Sequence, residues 1–309
     1  MKLPNVEFRA MVPLLREKDF YEAEDPRPIH WSAYTQTQIN DVKDTLAFIK
    51  DAVDETEYLP VPGKVGRPLT DPKVLAKAIL LAEFLHSPER PSQGWSAILG
   101  PAVGIDEEID DRVIGEAYNN VEVVYILKQV FDKNKTSDGR LSGDGTGLET
   151  SRKQNYETNK KTGEYLTSIV DSREVVQAFD MSGKQECRAM HDLITQVEGT
   201  SLRLDSGFVD RKLVQKISDL GMKPFVFPKK NAILNGETAW KNMYLELYFD
   251  VMTWLIEYHQ RSHSESFHSS FKRKNPPIRK RRPTAQLSQI IARLILHNRQ
   301  RIDYFNKAS

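Results

Sequence analysis

Apolar residues recur at helical spacing through roughly the first 135 positions and then change period. Ile39, Val42, Leu46, Ile49 and Val53 repeat every three or four residues, which predicts an amphipathic helix ending before Pro60. Residues 1–36 carry two proline clusters and no clear period, so an irregular arm with at most a short helix is expected there. The run PVPGKVGRP at 60–68 reads as a linker or turn. Asp71 before Pro72 reads as an N-cap followed by proline at the first helical position, and Val74, Leu75, Ala78, Ile79, Ala82 and Leu85 continue that helix. A short helix is expected over 92–99. A longer one is expected over about 107–131, with Ile109, Val113, Ala117, Val121, Val124 and Tyr125 facing inward. Some successive-helix units of this kind read DNA by a helix-turn-helix, though most three-helix units do not. The polar run at 132–139 marks a boundary.

Beyond it the pattern becomes β-rich. Short apolar runs at 140–144, 165–170, 174–179, 201–205 and 223–227 read as strands. Helices are expected at 186–197 and at 210–220, the latter closed by Gly221. From about 238 the chain reads as helical through residue 272, with Trp240, Tyr244, Trp254 and the segment 247–251 as helix core. Pro276, Pro277 and Pro283 interrupt it before a last amphipathic helix over 284–301 that carries Leu287, Ile290, Ile291, Leu294 and Ile295. Three strands, a helix, a strand, a helix, a strand and closing helices describe an α/β fold, a ribonuclease H-like mixed five-stranded sheet flanked by helices and preceded by a helical N-terminal region. The expected domains are an N-terminal arm and helix at 1–65, a helical, candidate DNA-binding domain at 66–135, and a sheet domain with a basic C-terminal helix at 136–309.

Composition narrows the class. The chain has 309 residues, 39% of them hydrophobic, which is enough to bury a sizeable core. Its single cysteine, Cys187, excludes an internal disulfide framework and a cysteine cluster for zinc; it points to a reducing, cytoplasmic setting and reads as a small buried hydrophobe. The richest apolar run, 76–85, is broken by Lys77 and Glu83, so no membrane span is expected, and the start lacks the form of a signal peptide. Net charge is only +1, but its distribution is uneven. Acids gather at 22–25, 51–57 and 106–111, whereas Lys272, Arg273, Lys274, Arg279, Lys280, Arg281, Arg282, Arg293, Arg299 and Arg301 crowd the C-terminal part. That asymmetry suggests a surface for a polyanion; a solvated basic tail is the plainer alternative.

The candidate chemistry lies in three acids. Asp144 and Asp205 each follow a β run and precede glycine or serine, where a strand opens into a loop at a sheet edge. Aspartates at strand ends also serve as turn formers. If the two strands are neighbours, the carboxylates repel, and convergent carboxylates bind Mg²⁺ or Mn²⁺ through oxygen. The third acid lies in YHQRSHSESFHSSFK at 258–272. On one helix, Tyr258, Arg261, Glu265 and Lys272 fall at about 0°, 300°, 340° and 320°, a single stripe suited to a metal and a phosphate. An ordinary solvated face with an Arg–Glu pair at i,i+4 is the competing reading. His259 and His263 have the i,i+4 spacing of zinc ligands but fall away from Glu265 on the same wheel. No convincing Ser–His–Asp or Cys–His set is legible.

These residues resemble the DDE transposases of bacterial and archaeal insertion sequences, in the group defined by Tyr, two residues, Arg, three residues, Glu, six residues and Lys. Tyr258, Arg261, Glu265 and Lys272 meet that spacing in full. Asp144 with Thr146, Asp205-Ser206-Gly207-Phe208 before a helix, and the segment GMKPFVFP at 221–228 supply the other landmarks. The likeness is good over about 141–301, weaker over 66–99 and absent before that. Two departures stand out: Ser142-Gly143 is a more polar lead-in to Asp144 than usual, and the 227–238 interval is too short for the β insertion some relatives carry.

The resemblance implies two-metal phosphoryl transfer on DNA, with two Mg²⁺ or Mn²⁺ ions held by Asp144, Asp205 and Glu265 as catalytic residues. Asp144 would bridge both ions. Tyr258, Arg261, Lys272, Arg273, Lys274, Arg279, Lys280, Arg281 and Arg282 would contact DNA. The implied partners are the element's terminal inverted repeats and target DNA, engaged by a homodimer, with no membrane involved, in a prokaryotic cytoplasm on the nucleoid. A metal-dependent DNA nuclease, a catalytically silent DNA-binding derivative and a structural α/β protein are the other readings.

Overall fold

The computed structural model describes residues 3–16, 28–58, 70–155 and 160–308, without side chains at 152–155 and 160–162. The acidic run at 22–25 and the linker at 60–68 lie outside the described residues. In chain order the helices α1 (Asn5–Leu14), α2 (Trp31–Asp54), α3 (Pro72–Phe84), α4 (Glu89–Leu99), α5 (Asp111–Ala117) and α6 (Val121–Lys133) come first. Then follow β1 (Arg140–Asn155), β2 (Lys160–Val170), β3 (Val176–Asp180), α7 (Glu186–Leu193), β4 (Ser201–Leu204), α8 (Arg211–Asp219) and β5 (Lys223–Val226). Helices α9 (Thr238–Phe249), α10 (Val251–His259), α11 (Ser262–Lys274) and α12 (Pro283–Ala308) close the chain. Two compact units result: Met1–Ile29, Thr136–Gly147 and Glu164–Ser270 form one, and His30–Lys135, Leu148–Gly163 and Phe271–Ser309 form the other.

The first unit is built on the mixed five-stranded sheet, in the order β3-β2-β1-β4-β5. β1, β4 and β5 run parallel, and β2 pairs antiparallel with β3. Parallel neighbours need crossover helices, and α7 and α8 supply them. Leu141, Leu202, Leu204, Phe225 and Val226 from the strands meet Met190, Leu193, Leu213, Ile217, Trp240, Tyr244, Leu247 and Trp254 from the helices in one core. Trp240, Tyr244 and Trp254 are thus core, as their spacing predicts. The N-terminal arm has a role its sequence does not reveal: Phe8 and Val12 of α1 are fully buried in this same core, with the Phe8 ring 5.3 Å from Tyr244.

Several expected elements are corrected. β1 does not stop at Asp144 but continues to Asn155. The helix expected over 186–197 ends at Leu193 and tightens into a 3₁₀ turn, Ile194–Gln196. The single helix expected from residue 238 breaks at Asp250, whose φ of −138° is not helical and whose side chain accepts from Thr253 N to start α10.

In the second unit, α12 packs against α2, α3 and α6, and Ile290, Ile291, Leu294 and Ile295 are buried as expected. Asp71 caps α3 by accepting from Lys73 N at 2.8 Å. The charges that interrupt the apolar run of α3 are themselves buried and paired: Lys77 with Asp54 at 2.7 Å, and Glu83 with Arg293 at 2.7 Å, Gln289 at 2.8 Å and Tyr118 at 2.8 Å. The helix expected over 107–131 is two helices, because Asn120 is extended and its side chain accepts from Glu122 N. That break rotates Val121 and Tyr125 to solvent and turns Val123, Ile126, Leu127 and Val130 inward. Likewise α2 starts at Trp31, inside the supposed arm, and leaves Ile39 and Val42 exposed. Its early buried face is polar, with Asp41 and Thr45 both bonded to Arg299 at 2.6 Å.

Phe8→Ala is expected to destabilise the first unit by about 3–5 kcal/mol, the usual cost of emptying a buried phenylalanine site. A urea melt followed by tryptophan fluorescence measures it, and an unchanged midpoint would place α1 outside the core.

Candidate active site

The register of two strands brings the first two acids together. β1 and β4 pair in parallel from Arg140↔Ser201 to Gly143↔Leu204, and Asp144 and Asp205 are the next residue on each. They therefore stand at the same level on strands about 4.8 Å apart. The polar lead-in to Asp144 has a structural cause. A Cβ on Gly143 would lie 2.7 Å from the side-chain ends of both Leu204 and Met190, so a larger residue here would push those side chains aside where α7 closes on the sheet. The Ser142 hydroxyl donates to the Gln260 carbonyl at 3.2 Å.

Asp144 is half-buried, and its Oδ1 accepts from Gly145 N at 2.9 Å. Its Oδ2 lies 3.7 Å from His268 Nδ1, and His268 Nε2 is 2.9 Å from Ser168 Oγ. Burial alone would push the Asp144 carboxyl up, but His268, the Gly145 N–H and Arg261 together hold it below the ordinary range. Asp205 Oδ1 accepts from Gly207 N and starts the short 3₁₀ turn Ser206–Phe208.

A fourth acid faces these two. A Cβ on Gly145 would lie 2.5 Å from Glu186 Oε1 and 2.6 Å from the Tyr165 hydroxyl, so both groups close over the backbone beside Asp144. Burial raises the Glu186 carboxyl above its ordinary value, and Asp144 and then Asp205 raise it further. Neither Glu186 nor His268 was singled out by sequence pattern. Glu186 opens a helix from a different part of the chain, and His268 reads as one of three histidines without an assigned task.

The stripe containing the third acid is not one helix. α10 ends at His259, and a turn follows in which Arg261 N bonds Tyr258 O, His263 N bonds Gln260 O and Ser264 N bonds Arg261 O, all three residues apart. The four-residue ladder is lost there, and the Ser264 hydroxyl also donates to the Arg261 carbonyl. Tyr258 thus belongs to α10, Arg261 to the turn, and Glu265 and Lys272 to α11; His259 and His263 fall on different helices, which removes their zinc-type spacing. Arg261 still reaches Glu265, Nη2 to Oε1 at 2.6 Å. Burial works against the Arg261 charge, but Tyr258, Glu265 and Asp144 more than restore it. Tyr258 is buried, stacked on Trp254 at 5.2 Å and tilted against Phe227, and burial pushes its phenol up to about 12.

A buried guanidinium holds this turn to the strands. Arg203, two residues before Asp205, donates from Nε to the Glu257 carbonyl at 2.6 Å and from Nη2 to Glu257 Oε2 at 2.5 Å. Its Nη1 donates to Ser201 Oγ at 3.0 Å. The end of α10 is thereby fixed to the strand that carries Asp205.

The basic residues divide by environment. Lys272, Arg273, Lys274, Arg281 and Arg282 are exposed, with Lys274 Nζ bonded to Gln300 at 2.5 Å. Arg279 instead donates to the His86 and Ser87 carbonyls at 2.9 Å, while Lys280 pairs with Glu89 and lies 3.5 Å over the Tyr118 ring. Arg293 and Arg299 are buried in the ion pairs described above and are not part of a basic surface.

As donors, the carboxylates suit a hard divalent cation: two sit side by side, and a third, Glu186, is raised by both. Their oxygens are not drawn into a closed ligand sphere. Among the described residues, only Cys187, His191 and Asp210 form a group whose potential ligand atoms all lie within 4.8 Å of one another.

Residues 136–299, just over half of the chain, match the family of the transposase DDE domain. The chain belongs to this family of insertion-sequence DDE transposases, and is a nucleic-acid-processing enzyme. It is 25% identical over 273 residues to a probable transposase for insertion sequence element ISA1214 from Archaeoglobus fulgidus, covering 83% of this chain and 84% of that protein. No solved structure gives a significant match. No helix among the described residues is long and apolar enough to cross a membrane.

Carbon-13 NMR of labelled glutamate in metal-free protein is expected to find Glu186 titrating above the ordinary range. Asp144→Asn should lower that value without normalising it, since burial is the larger cause. No change in the variant would mean the two carboxylates do not share a site.

Proposed function

We propose that this transposase cleaves the ends of its element and joins them to target DNA by divalent-metal DDE chemistry. The observation that carries the reading is the Gly143↔Leu204 register, which sets Asp144 and Asp205 level on adjacent parallel strands. Asp144, Asp205 and Glu265 would hold two Mg²⁺ or Mn²⁺ ions. Cations bound there would lower the pKa of an attacking water or DNA 3′-hydroxyl and stabilise the leaving oxygen.

The chain's own groups do the positioning. His268, backed by Ser168, fixes the Asp144 carboxylate, as outer partners orient ligands elsewhere. Glu265 is held by Arg261, Nη2 to Oε1 at 2.6 Å, and with Glu265 among the residues that would hold the cation, the Arg261 guanidinium would be placed to bind a phosphate oxygen. The buried Tyr258 ring lies against Arg261, 6.0 Å from the guanidinium carbon to the ring centroid, and would position that side chain for DNA. Lys272, two turns beyond Glu265 on α11, and Arg273, Lys274, Arg281 and Arg282 would bind the backbone. Arg279 and Lys280 would reach DNA only by leaving Glu83 and Glu89. We assign catalysis to residues 136–309 and end recognition to the helical segment 66–135, with a homodimer pairing two inverted repeats.

Asp144→Asn, Asp205→Asn and Glu265→Gln are each expected to lower Mg²⁺-dependent cleavage of element-end DNA by at least about 100-fold while leaving DNA binding intact. Full cleavage by any one would overturn the assignment. Cleavage of arbitrary DNA without joining would favour a nuclease.

Lys272→Ala, Arg281→Ala and Arg282→Ala should each reduce the slope of log binding constant against log salt by about 1, the mark of one lost phosphate contact. Lys280→Ala should leave the slope unchanged and lower stability instead. Unchanged slopes for all three exposed residues would contradict the assigned surface.

A further inference from the structure

Apart from the carboxylate site, the first unit holds a second set of ligating side chains. Cys187 and His191 stand one turn apart on α7, and Asp210 caps the start of α8. His191 Nε2 lies 3.0 Å from Asp210 Oδ2, and Cys187 Sγ lies 3.8 Å from the same oxygen. The three ligand atoms lie within 4.8 Å of one another. With zinc bond lengths of about 2.3 Å to sulfur and about 2.0–2.2 Å to nitrogen and oxygen, tetrahedral neighbours stand roughly 3.3–3.6 Å apart. The two closer separations bracket that range, so a small side-chain adjustment would enclose an ion.

We infer that Cys187, His191 and Asp210 form a site for a zinc-class transition metal ion, distinct from the hard-cation carboxylate site. One thiolate, one imidazole and one carboxylate are a mixed donor set that favours zinc over magnesium. All three side chains are half-buried, which leaves a fourth position open to water. The second oxygen of Asp210 is already oriented, since Oδ1 accepts from Lys212 N at 2.8 Å, as ligating carboxylates are commonly held. Burial, and then the Asp210 carboxylate, push the Cys187 thiol up in the metal-free chain. A bound cation reverses that balance, and the thiol proton leaves to solvent as the metal–sulfur bond forms. The ion would tie α7, which carries Glu186 beside Asp144, to α8, whose cap lies five residues after Asp205. The metal-free His191–Asp210 ion pair already makes part of that tie.

Cys187 is the only cysteine in the chain, so a thiolate–metal signal can come from nowhere else. Metal-stripped full-length protein titrated with Co²⁺ should develop tetrahedral d–d bands and a thiolate-to-cobalt charge-transfer band at one equivalent. Zn²⁺ should bleach them, and excess Mg²⁺ should not. Cys187→Ser should abolish the charge-transfer band, Asp210→Asn should weaken binding at least tenfold, and the Asp144→Asn/Glu265→Gln double variant should leave the band unchanged. Should a variant fail to fold, thiol alkylation of the unmodified protein gives a second readout: Zn²⁺ should slow it at least tenfold and Mg²⁺ should not. Absence of a charge-transfer band, or alkylation indifferent to Zn²⁺, overturns the site. Failure of the DNA cleavage experiments would leave this result unaffected, because neither readout depends on catalysis.

Discussion

Two aspartates stand level on adjacent parallel strands, and the rest of the site is arranged around that pair of carboxylates. Gly143 and Met190 let α7 approach the strands closely, which adds a third carboxylate, Glu186, to the same edge. Compensation is incomplete by design of the fold. His268 and one backbone N–H support Asp144, Arg261 supports Glu265, and the Glu186 carboxyl is raised rather than paired. Negative charge gathered this way with few counter-charges is what the proposed divalent-cation site would require.

Elsewhere, charge has been buried to fix geometry. Arg203 in the first unit bonds the end of α10 to β4, so the turn bearing Arg261 has a set position relative to Asp205. In the second unit, Glu83 gathers Arg293, Gln289 and Tyr118 inside a helical core. Removing one partner of such a network leaves an uncompensated buried charge, typically at a cost of about 3–5 kcal/mol. Arg293 reads from sequence as part of a basic surface because its partner Glu83 lies far away along the chain.

That distance separates what was legible from what was not. Asp144 and Asp205 could be found because each follows a β run, and the family spacing singled out Glu265. The sequence of strands along the chain and the last helix followed from the change of apolar period, whereas α9, α10 and α11 read as one helix. The break at 260–261 was hidden because Arg261 and Glu265 remain in contact across it, so the i,i+4 pair looks the same with or without a continuous helix. Asn120 and Asp250 ended helices through side-chain caps that an apolar period does not register. Glu186 and His268 become part of the site only when separate elements pack. Cys187 read from sequence only as a small buried hydrophobe, and its place beside His191 and Asp210 comes from tertiary structure.

The central claim is that the level aspartates hold catalytic cations. It is tested most directly by counting Mn²⁺ ions, by electron paramagnetic resonance, on the chain bound to element-end DNA. A Cys187→Ser background excludes the thiolate site. Two ions per chain are expected, with both lost or weakened at least tenfold by Asp144→Asn. Two ions bound with unchanged affinity to an Asp144→Asn/Asp205→Asn double variant would contradict it.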